Sequence, residues 1–257
     1  MKAIILSAGQ GRRLLPHTES RPKCALPVAG RPILAWQIEQ AAAAGIREAV
    51  VVTGFHADVV DGIVAGVTAL HARTLYNPVY AVSDNLVSCW IARQEMDQPF
   101  VIVNGDTLFE AEVMRRLLAS DPSVPITLAT DVKASYDADD MKIVADGRRL
   151  CRVGKKLDLA TVNGESIGMM VFRDEGAQLF RERLDRIVRR TEGLGRWYLS
   201  AIDELAQEGH VGICSIHGLG WCEVDDARDL ANAESVVQSW PSPAGSAALP
   251  VTSTGDS

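Results

Sequence analysis

A glycine-rich loop near the N-terminus has the composition of a phosphate-binding turn. Residues 6–13 read LSAGQGRR and follow the apolar run at residues 3–6, which is typical of a buried strand. Gly9 and Gly11 permit a sharp turn, so that backbone N–H groups from Ala8 onward can surround phosphate oxygens. A strand that leads into such a loop predicts a phosphorylated ligand.

Four basic side chains follow in the same loop and favour a triphosphate. Arg12, Arg13, Arg21 and Lys23 would offset the negative charge of the phosphate groups. A P-loop is excluded because no Gly-Lys-Ser/Thr sequence follows, and a dinucleotide fingerprint is excluded because Leu14 stands where its third glycine belongs. The structural alternative is a tight strand-to-helix turn with a solvated basic edge.

A carboxylate at the end of another strand is a candidate metal ligand. The apolar run at residues 100–103 ends at Asn104-Gly105-Asp106. In open α/β sheets, ligands bind beyond the carboxyl ends of the strands. Because Mg²⁺ prefers one or two carboxylates together with phosphate oxygens, Asp106 predicts a magnesium site. An Asn-Gly turn in which Asp106 caps the next helix is the structural alternative.

The segment WCEVD at residues 221–225 supplies further carboxylates. Side chains alternate along a strand, so Trp221, Glu223 and Asp225 share one face. Two carboxylates and an aromatic ring make a poor core, so this face is either exposed to solvent or lines a site. Glu223 and Asp225 are predicted to complete the metal shell that Asp106 begins, and which of them binds directly is left open.

Alternating strands and helices must position these segments. In the first half, strands are predicted at residues 2–6, 48–53, 69–76 and 100–103, with helices at 32–44, 58–65 and 85–96. This alternation predicts a mostly parallel, wound sheet. In the second half, Asp146-Gly147 predicts a hairpin. It precedes strands at 166–172, 211–216 and 220–225 and helices at 175–189, 197–207 and 227–237.

The bulk composition limits the class of protein. The 257 residues are 47% hydrophobic with a formal net charge of −7, which predicts a folded chain without a general nucleic-acid or anionic-membrane surface. No apolar run approaches the roughly 20 residues that a membrane span needs, and no signal segment is expected. The five scattered cysteines predict reduced thiols in a cytoplasmic protein. Residues 239–257 are small, polar and proline-rich, and predict a flexible tail.

The N-terminal motif resembles the signature of the sugar-nucleotide pyrophosphorylase-like nucleotidyltransferases. Residues 6–34, LSAGQGRRLLPHTESRPKCALPVAGRPIL, contain a glycine loop, an arginine, a Pro-Lys pair and a Gly-x-Pro segment in that order. The segments SDNLVSCW, DADDMKI, GESIGM, RWY and WCEVDDARDLANAE are similar to the phosphocholine cytidylyltransferase-like branch. The resemblance extends over residues 1–237. It departs from the family at LLPHT, where a Leu-Thr pair is usual, and at Cys24-Ala25.

The resemblance implies an α/β fold of the GT-A-like (Rossmann-like) kind over residues 1–238, with helices flanking a wound, mostly parallel mixed sheet. It also implies transfer of a nucleoside monophosphate, expected to be CMP from CTP, to a phosphorylated alcohol such as phosphocholine or to a phosphonate. The alternatives left open are guanylyl or uridylyl transfer to a sugar or cyclitol 1-phosphate, and a nucleotide-sensing module without turnover. The expected partners are a nucleoside triphosphate and a small phosphorylated acceptor, with no nucleic acid and no membrane. A homo-oligomer is left open.

By resemblance, individual residues take roles in this reaction. Arg13 would contact the β- and γ-phosphates, Lys23 the α-phosphate and the acceptor's phosphate, and Asp106 and Asp225 would hold Mg²⁺ with Glu223 close by. The expected catalytic residues are thus Lys23, Arg13 and Asp106. A sensing module would lack Lys23 or a metal carboxylate, and both are present. The nucleotide would be surrounded by Ala8, Gly9, Gly11, Arg12, Asn85 and Ser88.

The acceptor side is predicted from a second group of residues. The resemblance places Lys155 at a second phosphate-binding lysine, and Gly168, after Glu165, beside the acceptor or ribose. Aromatic rings near loops and strand ends would form a box for a quaternary ammonium such as choline, unless each packs in a core. These rings are Tyr80, Trp90, Tyr136, Trp197, Tyr198 and Trp221. The predicted acceptor ligands are Tyr136, Lys155, Glu165, Gly168, Tyr198 and Trp221.

Overall fold

The β-branched runs form the strands of a central sheet, and the amphipathic segments form helices on its two faces. A computed structural model of the protein describes residues 1–240. Its strands are β1 (Lys2–Ser7), β2 (Pro27–Val28), β3 (Arg31–Pro32), β4 (Glu48–Thr53), β5 (His71–Tyr76), β6 (Phe100–Asn104), β7 (Thr107–Phe109), β8 (Ile126–Asp131), β9 (Lys142–Asp146), β10 (Arg149–Gly154), β11 (Gly164–Phe172), β12 (Val211–Ser215) and β13 (Trp221–Glu223). Its α-helices are α1 (Ile33–Ala43), α2 (Ala57–Gly66), α3 (Asn85–Ile91), α4 (Ala111–Leu118), α5 (Asp174–Val188), α6 (Leu199–Gln207) and α7 (Ala227–Gln238).

The central sheet has nine strands in the order β5-β4-β1-β6-β11-β8-β12-β10-β9. β5, β4, β1 and β6 are parallel, because a helix crosses over between each pair of strands that follow one another. β11 pairs antiparallel with β6 and β8, whereas β12 runs parallel to β8. The sheet is therefore mixed. The expectation of a mostly parallel sheet holds only for the strands from the first half of the chain.

The predicted hairpin joins β9 and β10. Asp146 pairs with Arg149 across a two-residue turn, and Gly147 in that turn has a φ of 59°. This left-handed conformation suits glycine and matches the twist of the two strands. A turn this short forces antiparallel pairing, which is one reason why the second half of the sheet differs from the first.

The structure excludes the alternative in which Asp106 caps a helix, and it shortens the predicted helix α3. Asp106 does not cap a helix, because the chain turns after Gly105 directly into β7, which pairs antiparallel with β13. The helix predicted over residues 85–96 is α-helical only as far as Ile91 and continues as a 3₁₀ turn over Ala92–Glu95.

Apolar side chains on the two faces of the sheet form separate cores. β1 shows the alternation directly: Ile4 packs in the core beneath α3, α5 and α6, whereas Ile5 packs beneath α1, α2 and α4. In the first core Phe100 stacks on Phe172 with ring centroids 4.5 Å apart. The two cores fix β1 and β6 side by side, so that the loops leaving their carboxyl ends emerge next to each other.

A third core joins the N-terminal loop to the C-terminal helix. Leu14 and Leu26 from the loop pack with Val224, just before α7, and with Val237 within α7. This contact brings the β13–α7 junction against the basic loop. Asp225, which follows Val224, is thereby placed beside residues that lie some two hundred positions earlier in the chain.

The packed chain extends past the predicted boundary at residue 238. Trp240 is 8% exposed, and its ring meets that of Trp36 edge to face with centroids 6.1 Å apart. The first residues of the predicted tail therefore belong to the fold. Residues 241–257 lie outside the described residues.

Neither a spanning helix nor a disulfide occurs in residues 1–240. None of the helices there is long and apolar enough to cross a bilayer. All five cysteines are free thiols, and Cys24 and Cys89 are buried.

Replacing Trp240 with alanine should lower the free energy of unfolding by about 3–5 kcal/mol, because a large aromatic side chain is removed from a packed core. Urea denaturation followed by circular dichroism measures this change. Leu159→Ala is the matched control: its side chain is 61% exposed, so the change should stay below about 0.5 kcal/mol. Equal midpoints for Trp240→Ala and the wild type would show that Trp240 does not stabilise the fold.

Candidate active site

A cleft of about 650 Å³ opens at the carboxyl ends of β1 and β6. This is the edge of the sheet where ligands bind in open α/β folds. The predicted site residues that line it are Gly9, Gly11, Arg12, Arg13, Lys23, Asn85, Asp106, Lys155, Gly168, Glu223 and Asp225. Side chains from the two halves of the sequence therefore converge on one cavity.

The ammonium group of Lys23 lies between two carboxylates in this cleft. Its Nζ is 2.9 Å from Oδ2 of Asp106 and 2.6 Å from Oδ1 of Asp225. Burial lowers the pKa of Lys23, but the two aspartates outweigh burial and hold that pKa above its usual value. Burial also opposes ionisation of Asp225, and the charges of Lys23 and Arg13 reverse this effect and lower its pKa. Lys23 and Asp225 are therefore both charged at neutral pH.

Gly11 makes room for the Lys23 side chain. Gly11 has a φ of 76°, in the left-handed region, and a Cβ there would lie 2.8 Å from Cβ of Lys23. Its carbonyl accepts hydrogen bonds from the N–H of Leu14 and the hydroxyl of Thr18, which fixes the turn. Gly11, which was predicted to lie in a phosphate-binding loop, is thus also needed for the position of the Lys23 side chain.

A second group of charges crosses the mouth of the cleft. Arg13 contacts Asp225 at 2.9 Å and Asp139 at 3.0 Å. Lys155 Nζ is 3.4 Å from the other carboxylate oxygen of Asp139 and 4.3 Å from the centroid of the Trp197 ring. The Asp139 side chain is 64% exposed, so these pairs add little to stability. They can be exchanged at small cost for charged groups of a ligand.

Glu223 faces the same carboxylates from β13. Burial first, and then the charges of Asp106 and Asp225, raise the pKa of Glu223 well above its usual range. These neighbours therefore favour the protonated form of the Glu223 carboxyl group. A cation that approached the group would favour release of this proton.

Asp106 carries a carboxylate oxygen without a partner. Its Oδ1 atom is buried and accepts no hydrogen bond from the described residues. Within residues 1–240 no three His, Cys, Asp or Glu side chains lie close enough together to form a ready metal cluster. The cation that does lie between Asp106 and Asp225 is the Lys23 ammonium group.

Six predicted ligands do not line the cleft: Ala8, Ser88, Tyr136, Glu165, Tyr198 and Trp221. Ala8 lies in the glycine loop, but its carbonyl accepts the N–H of Phe55 instead of facing the cavity. Ser88 is buried in α3, and its hydroxyl accepts a hydrogen bond from the amide of Asn77. Both residues are therefore engaged by other parts of the protein and do not face the cavity.

Three of the predicted acceptor ligands have protein partners instead. Glu165 is buried and pairs with Lys133 at 2.7 Å. The hydroxyl of Tyr136 accepts the backbone N–H of the same lysine at 3.3 Å, and the indole of Trp221 donates to Asp131 at 2.8 Å. Each of these side chains pairs with a neighbouring polar group of the protein, so none of them is free to bind an acceptor.

The predicted aromatic box does not assemble. Of its six rings, Trp197 is the one that lines the cleft in the described part of the chain. Trp90 donates its indole N–H to Asp185, and Tyr198 is fully buried. A cationic group bound in this cleft would therefore meet a single aromatic face.

Asn104 was not among the predicted ligands, and Trp197 was predicted only as one of the six rings of the aromatic box. Asn104, Asp139 and Trp197 all line the cavity. Asn104 directly precedes the Gly-Asp pair. Its position at the end of an apolar strand could have indicated that it lines the site. Asp139 and Trp197 lie in irregular segments, where spacing alone does not predict which side chain turns inward.

The curated proteins to which this chain is similar include a CMP-phosphonate synthase and a cytidylyltransferase. The chain is 31% identical over 244 residues to CMP-5'-(3-aminopropyl)phosphonate synthase of Streptomyces rubellomurinus, which covers 91% of this chain and 38% of the relative. It is 33% identical over 110 residues to choline-phosphate cytidylyltransferase of Streptococcus pneumoniae, covering 43% of this chain and 47% of the relative. The chain thus spans less than half the length of these two relatives.

Comparison with solved structures finds the same fold. The inositol-1-phosphate CTP transferase from T. maritima superposes with a TM-score of 0.78 over 93% of this chain and 96% of that one, at 16% identity. This likeness shows the fold, and the curated relatives confirm the resemblance to the nucleotidyltransferases and to their phosphocholine cytidylyltransferase-like branch.

The family profile of the MobA-like NTP transferase domain matches residues 3–150. This span contains the glycine loop, Lys23 and Asp106, and it covers more than half of the chain. The chain therefore belongs to the MobA-like NTP transferase domain family.

Proposed function

We propose that the protein transfers CMP from CTP to a small phosphorylated acceptor and releases pyrophosphate. The observation that carries this proposal is the Lys23 ammonium group, held between Asp106 and Asp225 in a cleft that begins with a glycine loop. The choice of CTP rests on three similar proteins: a CMP-phosphonate synthase, a choline-phosphate cytidylyltransferase and an inositol-1-phosphate CTP transferase. We assign the wound sheet to the GT-A-like (Rossmann-like) kind and the catalytic domain to residues 1–240.

The reaction needs charge neutralisation and alignment more than proton transfer. An oxygen of the acceptor's phosphate or phosphonate is already ionised at neutral pH, so it attacks the α-phosphorus without a general base. A new P–O bond forms as the bond to the pyrophosphate oxygen breaks in line with it. Lys23 would bind the α-phosphate and the incoming anion, and Arg13 the departing pyrophosphate. Both side chains lie in the cleft and are held by carboxylates that a ligand can replace.

The carboxylates of the cleft fit a hard divalent cation, which we propose to be Mg²⁺. Asp106 retains a buried oxygen without a hydrogen-bond partner among the described residues, and oxygen donors are those that Mg²⁺ prefers. Asp106 and Asp225 would hold the ion, with Glu223 joining once its proton is lost. When bound, Mg²⁺ supplies charge stabilisation to the phosphate oxygens.

We propose that the acceptor carries a cationic nitrogen in addition to its phosphate or phosphonate group. Lys155 places an ammonium group on the Trp197 ring and beside Asp139, so this corner already accommodates a positive nitrogen. If Lys155 turns to the acceptor's phosphoryl group, the ring and the carboxylate become free for the acceptor's own nitrogen. Aminopropylphosphonate and choline phosphate, named for two relatives, both have this chemistry.

The proposal is tested by pyrophosphate release with Mg²⁺, crossing CTP, UTP, GTP and ATP against aminoalkylphosphonates, phosphocholine, phosphoethanolamine, inositol 1-phosphate and glucose 1-phosphate. Release with CTP and a nitrogen-bearing acceptor is expected. Release only with UTP or GTP and a sugar or cyclitol phosphate would keep the mechanism and overturn the acceptor assignment. Nucleotide binding without release from any pair would support a sensing module and contradict the proposal.

Lys23→Met should lower kcat about a hundred- to a thousand-fold, because one preorganised contact to the charge of the transition state is lost. Asp106→Asn should have a similar effect. Pyrophosphate release is the measurement, and circular dichroism confirms that the variants are folded. Lys156→Ala is the matched control, since Lys156 is exposed and does not line the cleft. Activity close to wild type in Lys23→Met would contradict the proposal.

Trp197→Ala should raise KM for an amine-bearing acceptor about ten- to thirtyfold, the equivalent of up to about 2 kcal/mol for a desolvated cation–π contact. KM for CTP should stay within about twofold, because the ring is assigned to the acceptor alone. An acceptor of similar size without the nitrogen serves as the substrate control, and its KM should not change. An equal rise in KM for both acceptors would show that Trp197 does not recognise the cationic nitrogen.

A further inference from the structure

A single buried tyrosine contacts both asparagines of the cleft wall. The backbone N–H of Tyr198 donates to Oδ1 of Asn85 at 2.9 Å, and its hydroxyl donates to Oδ1 of Asn104 at 3.0 Å. Tyr198 is fully buried and does not line the cleft, whereas Asn85 and Asn104 both do. Tyr198 therefore lies behind these two side chains and contacts each of them once.

The chemistry of the two hydrogen bonds fixes how each amide is turned. A backbone N–H can only donate, so Asn85 must present its oxygen to Tyr198. The Tyr198 hydroxyl has no other partner among the described residues, and a buried hydroxyl needs an acceptor for its proton. Burial raises the pKa of Tyr198 well above its usual value, so the phenol keeps that proton. Asn104 must therefore also present its oxygen.

Both amide nitrogens are consequently left for a ligand. Neither Nδ2 atom donates to any group in residues 1–240, and neither is fully buried. Asn104 also lies against the backbone of Gly168, which has a φ of 70°. A Cβ at residue 168 would lie 2.4 Å from Nδ2 of Asn104. The amide cannot rotate freely between the phenol and this glycine backbone.

The chain around Tyr198 is tied to α3 by further contacts. The carbonyl of Leu194 accepts the N–H of Asp84, and the carbonyl of Arg196 accepts the N–H of Leu86. The segment that leads into α6 thus runs along the first turn of α3. The backbone N–H of Tyr198 therefore lies next to the Asn85 side chain. The Tyr198 ring extends to Asn104 at the end of β6.

We infer that Tyr198 is a positioning residue that aims the amide N–H groups of Asn85 and Asn104 at acceptor oxygens of the bound nucleotide. The inference rests on the proposed function only in that a nucleotide occupies this cleft. It moves Tyr198 from the predicted acceptor ligands to a role behind the nucleotide, and it gives a role to Asn104, which was not among the predicted ligands.

A double-mutant cycle tests the inference through the affinity for CTP, measured by isothermal titration calorimetry. Tyr198→Phe keeps the ring and the backbone contact to Asn85 and removes only the hydroxyl, and it should weaken binding about tenfold. Asn104→Ala should weaken binding at least as much. The double variant should bind no worse than Asn104→Ala, because the hydroxyl acts only through that amide. Losses that multiply in the double variant would overturn the inference.

Asn104→Asp separates donation from packing. The aspartate has the same shape and still accepts the phenol proton, but it offers no N–H to the nucleotide. CTP affinity should fall at least as far as in Asn104→Ala. Near wild-type affinity would overturn the inference, since it would mean that Asn104 serves only as a partner for Tyr198.

Two controls keep the outcomes distinct. Tyr76→Phe removes a hydroxyl from a side chain that is 53% exposed and does not line the cleft, and it should leave CTP affinity unchanged. Pyrophosphate release is measured on the same variants. If the wild type binds CTP without releasing pyrophosphate, the proposed function fails while the binding cycle still decides the role of Tyr198.

Discussion

The cleft depends on the electrostatic balance of Lys23 with Asp106 and Asp225. Two partly buried carboxylates repel each other unless a cation lies near both of them, and the Lys23 ammonium group is bonded to each. These residues come from the N-terminal loop, the end of β6 and the β13–α7 junction. The third core, with Leu14 against Val224 and with Leu108 of β7, joins the N-terminal loop, the strand that follows Asp106 and the β13–α7 junction by apolar contacts. Packing and charge therefore both fix the geometry of the cleft.

Much of this arrangement follows from local sequence patterns. The continuous apolar run at residues 48–53 gives β4, and Asp146-Gly147 gives the hairpin turn, because burial and glycine geometry act over a few residues. The glycine loop and Asp106 could be assigned to one site because both follow strands whose carboxyl ends share an edge. Arg13 and Lys23 were predicted because they follow the glycine loop, and Asp225 because it shares a strand face with Glu223; all three line the cleft.

Other features depend on contacts that local patterns do not contain. Parallel pairing in the second half of the sheet was overestimated because pairing partners such as β11 and β6 are distant in the sequence. No element was predicted over residues 111–131, where α4 and β8 lie. Tyr198 and Trp221 carry residue types suited to binding, yet their partners are protein groups that only the fold brings near. Trp197, in contrast, lies in a loop, where no periodic sequence pattern indicates that its side chain faces the cleft.

In the proposed reaction, Lys23 must leave the aspartates for the nucleotide when substrate binds. A crystal structure of the protein with Mg²⁺ and a CTP analogue that cannot be cleaved between the α- and β-phosphates tests this most directly. We expect Lys23 Nζ to lie within hydrogen-bonding distance of an α-phosphate oxygen and the Asp106 and Asp225 carboxylates to hold the metal. A bound nucleotide with Lys23 still between the two aspartates, and its phosphates elsewhere, would contradict this expectation.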